Sequence, residues 1–184
     1  MLEDNQKVDA SSRFQDSLPT SSDQLLTSLD EWGITYKCYN HVPLSTVEEA
    51  KRVQCQFLQT KEGGGHIKNL YLRDHKKNNI LLVTEQDCII DLKKLKDQLQ
   101  AGRLSFGSPD RLMENLGVRP GAVTPFSMIT GVTRDVSLFL DEELRSCIKI
   151  YAHPLVNDRT LEISIEGLES FFKRIGVVPQ WIKV

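Results

Sequence analysis

Apolar residues recur at helical spacing in several stretches of the chain, and these stretches carry the terminal signals of helices. Ser21 and Gln24 have the spacing of a capping box, as do Ser45 and Glu48 further on. Ser108 stands where an N-cap is expected, directly ahead of a proline. The predicted helices cover residues 21–33, 45–50, 91–100 and 108–117, with a last helix that carries Leu168, Phe171, Phe172 and Ile175 and ends at Gly176.

Runs of β-branched and aliphatic residues lie between these helices and predict strands. They cover residues 34–39, 67–73, 80–84, 135–140, 147–152 and 160–165. Several consecutive strands have no helix between them, and residues 74–79 have the composition of a hairpin turn. This pattern disfavours parallel crossover units. It predicts a single α/β domain with a mixed, largely antiparallel, barrel-like sheet surrounded by helices.

The first twenty residues have the composition of a segment that cannot order itself. Ser, Asp, Asn and Gln dominate, and the apolar positions are isolated. A chain of 184 residues is long enough for one sizeable core and too short for two. We therefore expect a flexible polar tail over residues 1–20 and one folded domain over residues 21–184.

Composition and charge are those of an ordinary globular protein. The formal net charge is −2, so any contact with nucleic acid would depend on a local basic patch. The cysteines contain no C-x-x-C pair, which favours free thiols over a metal site; they are Cys38, Cys55, Cys88 and Cys147. No apolar run reaches the length of a membrane span and no signal peptide is apparent, so we expect a cytoplasmic protein.

Three segments place unusual backbone residues beside a polar side chain. In the first, a triple glycine over residues 63–65 leads into Lys68 and Asn69. Glycines allow a backbone to approach a ligand closely, and a lysine at this position can bind a phosphate. The alternative is a flexible lead-in with a solvated lysine, and composition alone favours that alternative.

The second and third segments contain proline turns. Residues 117–126 contain two prolines on either side of Gly121. They could form a rigid turn whose N–H groups face a carbonyl or a phosphate. The alternative is an ordinary connection between a helix and a strand. His153 ends a strand ahead of a proline, where it could contact a substrate or bond a backbone carbonyl. No nucleophile elbow, P-loop or dinucleotide fingerprint is present.

Together these segments resemble the YbaK and prolyl-tRNA-synthetase-associated family of editing domains, and more narrowly its free-standing alanyl-tRNA(Pro) deacylase branch. The resemblance spans about residues 22–175 and rests on motifs in a fixed order. They are the opening helix and residues 41–50, 64–72, 102–108, 121–126 and 153–157.

The resemblance implies hydrolysis of the ester between a misplaced amino acid and the terminal ribose of tRNA. It implies that the free ribose hydroxyl of the substrate activates water, with no metal and no cofactor. Lys68 would anchor the terminal nucleotide and its phosphate, and Asn69 would order that site. Residues implied in substrate binding are Gly121, Ala122, Thr124, Pro125, Phe126, His153 and Asn157.

Other functions stay open at this point. The substrate could be tRNA mischarged with cysteine or serine, or the chain could be a non-catalytic module that binds tRNA or a protein partner. The partners implied are the acceptor end of mischarged tRNA and, as a candidate, prolyl-tRNA synthetase. No membrane partner is expected.

Overall fold

The computed structural model describes residues 7–184, and within them helices are interspersed with strands, some of which follow each other directly, as the sequence pattern predicts. The strands are β1 Tyr36–Asn40, β2 Gly64–Arg73, β3 Asn79–Glu85, β4 Ser105–Phe106, β5 Ser137–Asp141, β6 Lys149–Ala152, β7 Arg159–Ile163 and β8 Gln180–Ile182. The helices are α1 Ser22–Glu31, α2 Val47–Val53, α3 Leu92–Gln98, α4 Pro109–Leu116, α5 Met128–Gly131 and α6 Ile165–Arg174. Short 3-10 turns join several of them.

All eight strands belong to one mixed sheet, which confirms the predicted fold class. Its order is β1-β7-β6-β2-β3-β5-β8, and β4 pairs with β2 beside this path. The pairs β1–β7, β6–β7, β2–β3 and β2–β4 are antiparallel. The pairs β2–β6, β3–β5 and β5–β8 are parallel. The strands β4 and β8 were not predicted, because two and three residues are too few to show an alternating pattern.

The capping box of α1 lies where the sequence predicts it, and that of α2 lies one residue later. Ser21 and Gln24 form the predicted capping box of α1. The capping box of α2 is formed by Thr46 and Glu49, one residue later than predicted. The Glu49 carboxylate accepts from the peptide N–H groups of both Ser45 and Thr46, which fixes the helix start at the later position.

Apolar side chains pack on both faces of the sheet. The larger cluster lies among α1, α4, α6 and the strands, where Leu25, Phe126, Phe171 and Leu116 are fully buried. A smaller cluster on the other face joins Leu72, Leu82 and Phe139 to Leu95 of α3 and to Leu99 directly after that helix. No helix within residues 7–184 is long and apolar enough to cross a membrane.

The prediction of a flexible tail over residues 1–20 is wrong for its second half. Ser12–Ser17 form a 3-10 helix, and the Ala10 carbonyl accepts a hydrogen bond from the N–H of Asn157 at 2.9 Å. Residues 1–6 lie outside the described residues. A polar segment without a core of its own is ordered here by docking on the folded domain, and composition alone does not show that surface.

We expect Phe171→Ala to lower the free energy of unfolding by roughly 3–5 kcal/mol. The ring is fully buried and contacts those of Phe126 and Phe172, with centroids 5.1 and 5.6 Å away. Val178→Ala is the control, since Val178 is 86% exposed and should change stability by about 0.5 kcal/mol or less. Urea denaturation measures both, and equal midpoints would contradict this account of the core.

Candidate active site

One edge of β2 is unpaired midway along the strand. On this side β6 pairs with Gly64–His66 and β4 pairs with Leu72–Arg73. Within residues 7–184, no strand covers residues 67–70 between them. The sheet therefore contains a gap beside the predicted residues Lys68 and Asn69.

The backbone groups that face this gap follow from strand geometry, because alternate residues direct their peptide groups to opposite edges. The His66 carbonyl accepts on the β3 side, from the N–H that follows β3, at 2.8 Å. The Tyr71 carbonyl accepts on the β4 side, from the N–H that follows β4, at 3.0 Å. The peptide groups of Ile67 and Asn69 therefore face the gap, where a ligand could bond them.

The gap exists because β6 ends early. It ends at Ala152, because Pro154 has no N–H to donate to a ladder and its ring restricts the backbone of His153 before it. Leu155 follows with φ +68°, a left-handed conformation that completes the turn toward β7. The chain thus turns away from β2 and leaves its edge uncovered.

Two adjoining cavities occupy the gap. We call the smaller, of about 60 Å³, the inner cavity and the larger, of about 210 Å³, the outer cavity. Both are lined by Leu44, Val47, Ala50, Ile67, Asn69 and His153. The inner cavity is also lined by Phe57, His66 and Tyr151. The outer cavity is also lined by Lys68, Gly121 and Val123. The cleft therefore brings Lys68, Asn69, Gly121 and His153 together from three separate segments.

Lys68 is half-buried at the wall of the outer cavity. Its Nζ donates to the backbone carbonyl of Cys88, in the loop that follows β3. A carbonyl is a neutral acceptor, and the ammonium has three N–H groups. The lysine therefore has donors left for an anionic ligand.

Asn69 lines both cavities, and its side chain is incompletely bonded. Its Oδ1 is buried and has no hydrogen-bond partner among the described residues. A buried acceptor without a partner is destabilising, and in native proteins it commonly marks a ligand or water site. The amide thus points to a bound donor group in this cleft.

The His153 ring is held in one tautomer by the backbone. Its Nδ1 lies 2.7 Å from the Arg159 carbonyl oxygen, which can only accept, so Nδ1 carries the proton. Burial lowers the pKa of the imidazole, with His41 adding a smaller effect in the same direction. The ring is therefore neutral near pH 7, and its Nε2 is an acceptor at the cleft.

His66 is a site residue that the sequence analysis did not identify. It is 3% exposed, and its ring stacks on that of Tyr151 with centroids 5.0 Å apart. Nε2 lies 2.9 Å from the Leu58 carbonyl oxygen, which leaves Nδ1 as a buried acceptor without a partner among the described residues. The sequence carries no signal for this burial, because the pairing of β2 with β6 is a long-range contact.

The triple glycine serves close packing. A Cβ on Gly64 would lie 1.8 Å from the Leu58 carbonyl oxygen, and one on Gly65 would lie 2.5 Å from a methyl carbon of Ile150. Gly64 and Gly65 belong to the paired strand β2, so the flexible lead-in does not describe them. They let the Leu58 peptide approach β2 closely enough to bond His66.

The loop of Gly121 closes the outer cavity. Gly121 has φ +91°, which favours glycine, and a Cβ there would lie 3.3 Å from Ser45 ahead of α2. The N–H of Ala122 already donates to the Arg119 carbonyl at 3.0 Å. The residues of this loop that line the cavity are Gly121 and Val123, on either side of Ala122.

The other predicted substrate-binding residues are buried behind the cleft and line neither cavity. They are Ala122, Thr124, Pro125, Phe126 and Asn157. Asn157 Nδ2 donates to Ser45 Oγ at 3.3 Å, while its Oδ1 is buried without a partner among the described residues. These side chains position the Gly121 loop and the segment before α2.

The cleft is poor in ionisable groups. Its lining residues include no carboxylate and no thiol, and the hydroxyls of Ser45, Thr46 and Thr160 are its alcohols. Within residues 7–184, no group of three or more His, Cys, Asp or Glu side chains could hold a metal ion. The polar groups of the cleft are a cation, two neutral imidazoles, amides, hydroxyls including the phenol of Tyr151, and backbone peptides.

Comparison with known proteins relates the chain to tRNA editing. A family model described as the aminoacyl-tRNA editing domain matches residues 41–171. The prolyl-tRNA editing protein ProX of Acetoanaerobium sticklandii is 36% identical over 155 residues, which cover 83% of this chain and 90% of that protein. The prolyl-tRNA synthetase associated domain-containing protein 1 of Xenopus laevis is 33% identical, covering 85% and 92%.

A solved structure described as a candidate trans-editing enzyme for prolyl-tRNA synthetase has a similar fold. Its TM-score is 0.64 at 19% identity, and the match covers 89% of this chain and 97% of that one. At this identity the likeness concerns the fold alone. It agrees with the mixed sheet described above.

We expect opposite neutral tautomers for the imidazoles of His153 and His66 at pH 6.5. His153 should carry its proton on Nδ1 and His66 on Nε2, since each donates to a backbone carbonyl. Burial lowers both pKa values below the roughly 6.5 of a solvated histidine. Nitrogen-15 NMR of the rings distinguishes the tautomers, and exposed His75 provides a reference signal.

The lowered pKa values of His153 and His66 also determine how the free energy of unfolding changes with pH. As the pH falls below about 6.5, the unfolded chain binds protons that the folded chain does not, so the free energy of unfolding declines. Protonation of either ring in the folded protein above pH 6.5 would contradict the lowered pKa values.

Proposed function

The chain belongs to the aminoacyl-tRNA editing domain family, and we propose that it hydrolyses alanine from mischarged tRNA(Pro). One observation carries this proposal: Lys68, Asn69, Gly121 and His153 line a single cleft beside an open strand edge. A cleft of this kind offers a cation for RNA phosphate and neutral polar groups for an ester. The similarity to a prolyl-tRNA editing protein over most of both chains supports the choice of tRNA.

Lys68 is proposed to bind the phosphate of the terminal nucleotide. Lys68 lines the outer cavity, and its Nζ donates to the Cys88 carbonyl. A phosphate oxygen is a stronger acceptor than this carbonyl because it is charged. The terminal nucleotide would thus occupy the outer cavity with its ester directed inward.

Backbone groups are proposed to hold the ester. The loop residues Gly121 and Val123 line one side of the outer cavity, and the open edge of β2 presents the peptide of Asn69 on the other. Fixed peptide N–H groups stabilise the oxyanion that forms when water attacks an ester carbonyl. His153, with Nε2 as an acceptor, would shape the cleft between the ester and the ribose.

The chemistry is proposed to depend on the substrate's own ribose. Water attacks the ester carbonyl carbon, the bond from that carbon to the ribose oxygen breaks, and that oxygen leaves as a hydroxyl. The neighbouring free hydroxyl of the ribose would orient and activate the water. No carboxylate or thiol among the lining residues is present to act as the base instead, and His153 is the neutral imidazole that lines both cavities.

Selectivity for alanine is proposed to follow from size. The inner cavity is about 60 Å³ and has an apolar wall of Leu44, Ala50 and Val53. A methyl side chain suits such a space, whereas the ring of proline would displace the wall. Smaller or similar side chains are harder to reject, because one methylene is worth only about 1–3 kcal/mol in an apolar pocket. Glycine and serine esters should therefore react in part.

The domain extent and the cellular setting are part of the same proposal. We propose that residues 21–184 form the editing domain and that the segment before them is an accessory to it. The enzyme would act in the cytoplasm on mischarged tRNA after its release from prolyl-tRNA synthetase. Co-purification with that synthetase at low salt would test a direct association.

We expect the native protein to hydrolyse alanyl-tRNA(Pro) and to spare prolyl-tRNA(Pro). Lys68→Ala should lower kcat/KM for the alanyl ester roughly 10- to 100-fold, since it removes a hydrogen-bonded charge. Deacylation of tRNA carrying radiolabelled amino acid measures both. Rapid hydrolysis of prolyl-tRNA(Pro) would contradict the assigned specificity.

Lys173→Ala is the matched control for the loss of a positive charge. Lys173 is exposed on α6 and lines neither cavity. Its variant should keep the native rate. Preferred hydrolysis of a cysteinyl or seryl ester would identify another editing substrate, and tRNA binding without hydrolysis of any ester would identify a binding module.

A further inference from the structure

A row of side chains crosses four strands of the sheet and ends at the inner cavity. The strand register places Glu162 of β7 between Lys37 of β1 and Tyr151 of β6. Tyr151 in turn lies opposite His66 of β2. Residues directly opposite each other on neighbouring strands lie on the same face of a sheet. The row therefore runs from β1, at one end of the strand order, to β2 at the cleft.

Within this row, Glu162 fixes the hydroxyl of Tyr151. Its Oε2 accepts from that hydroxyl at 2.9 Å and from the Tyr39 hydroxyl at 3.2 Å. Burial raises the pKa of Tyr151 to about 12, and the bond to Glu162 adds to this rise, so the phenol keeps its proton and donates it. The same hydroxyl accepts from the Leu58 N–H at 2.8 Å. It is thus held on one side by a carboxylate and on the other by the backbone.

The Tyr151 ring is packed against two further rings. The Phe57 ring stacks on it with centroids 4.6 Å apart, and the His66 ring does so at 5.0 Å. All three rings line the inner cavity, and we call them the aromatic wall. The Tyr39 ring meets that of Phe57 edge-on at 4.9 Å. Both tyrosines that bond Glu162 therefore contact the aromatic wall or belong to it.

Glu162 itself lies outside the cleft. It is half-buried on β7 and lines neither cavity, so it acts on a bound amino acid only through the tyrosines. Tyr151 is 5% exposed, and a buried hydroxyl that loses its acceptor is destabilised until it finds another partner. Because buried side chains are closely packed, a shift of the Tyr151 ring would displace the two rings stacked on it.

We propose that Glu162 is a positioning residue that fixes the aromatic wall and thereby sets the largest amino-acid side chain that the inner cavity accepts. This inference rests on the proposed function and assigns part of its size limit to a residue outside the cleft. A cavity of about 60 Å³ excludes longer side chains only while its wall stays in place. Release of Tyr151 would let the wall give way to a longer side chain.

The test compares alanyl-tRNA(Pro) with 2-aminobutyryl-tRNA(Pro), whose side chain is one methylene longer. The native protein should prefer the alanyl ester roughly 10- to 200-fold in kcat/KM, the range for one methylene in an apolar pocket. Glu162→Ala should lower this preference roughly 5- to 10-fold by speeding hydrolysis of the longer ester, with kcat/KM for the alanyl ester nearly native. A folded variant with a lowered Tm and the native preference would assign Glu162 to stability alone and overturn the proposal.

Glu162→Gln separates the hydrogen bonds from the charge. Both phenols bond the same oxygen, and an amide keeps one oxygen that can accept from both. This variant should therefore retain the native preference. A preference as low as that of Glu162→Ala would show that the charge matters and not the hydrogen bonds, which would contradict the proposed role.

Tyr151→Phe removes the hydroxyl through which Glu162 acts on the aromatic wall. The variant should lose preference for the alanyl ester, and adding Glu162→Ala to it should lower the preference by a further factor of about two or less. Mutations that break the same contact are not additive. Fully additive losses would show that Glu162 acts by another route and would overturn the proposal.

Glu169→Ala is the matched control for the loss of a carboxylate. Glu169 is exposed on α6 and lines neither cavity, so this variant should keep the native preference. Nitrogen-15 NMR of the His66 ring gives a measurement that does not depend on hydrolysis. Glu162→Ala should shift the His66 signals and Glu169→Ala should not, and unshifted signals in both variants would overturn the proposal. Failure of the native protein to hydrolyse alanyl-tRNA(Pro) would instead refute the proposed function.

Discussion

The arrangement of the cleft depends on one feature of the sheet, the early separation of β6 from β2. The two strands share only Gly64–His66 on this side, and the chain leaves the sheet at His153 and Pro154. Peptide groups at a strand edge need partners, and in this sheet they face a cleft where a ligand can supply them. Helix α2 and the Gly121 loop cover the gap, so that segments distant in sequence lie next to each other around it.

The polar groups of the cleft are held in fixed states by the backbone. His153 and His66 each donate to a main-chain carbonyl, and each thereby presents its other nitrogen as an acceptor. Burial keeps both rings neutral by lowering their pKa values. Lys68 is the cationic residue of the lining, at the outer cavity. This division suits a substrate whose phosphate lies in the outer cavity and whose amino acid lies in the inner one.

The sequence predicted the fold class, most element positions and four of the site residues that line the cleft. Periodicity, caps and turns are local signals, and those elements could be read directly. The order of the motifs along the chain identified Lys68, Asn69, Gly121 and His153. Composition alone did not, since it favoured a solvated lysine at position 68. His66 was missed because its burial depends on the pairing of β2 with β6. The docking of Ser12–Ser17 was missed for the same reason, since it requires a surface formed by distant residues.

The most direct test of the central claim, that the gap between β2 and β6 binds the aminoacyl end of tRNA, is a crystal structure with a stable analogue. Adenosine carrying alanine through an amide at its ribose keeps the amino acid and resists hydrolysis. The account predicts its alanyl group in the inner cavity and its ribose in the outer cavity, between Lys68 and the Gly121 loop. Binding elsewhere on the molecule, with both cavities filled only by water, would contradict it.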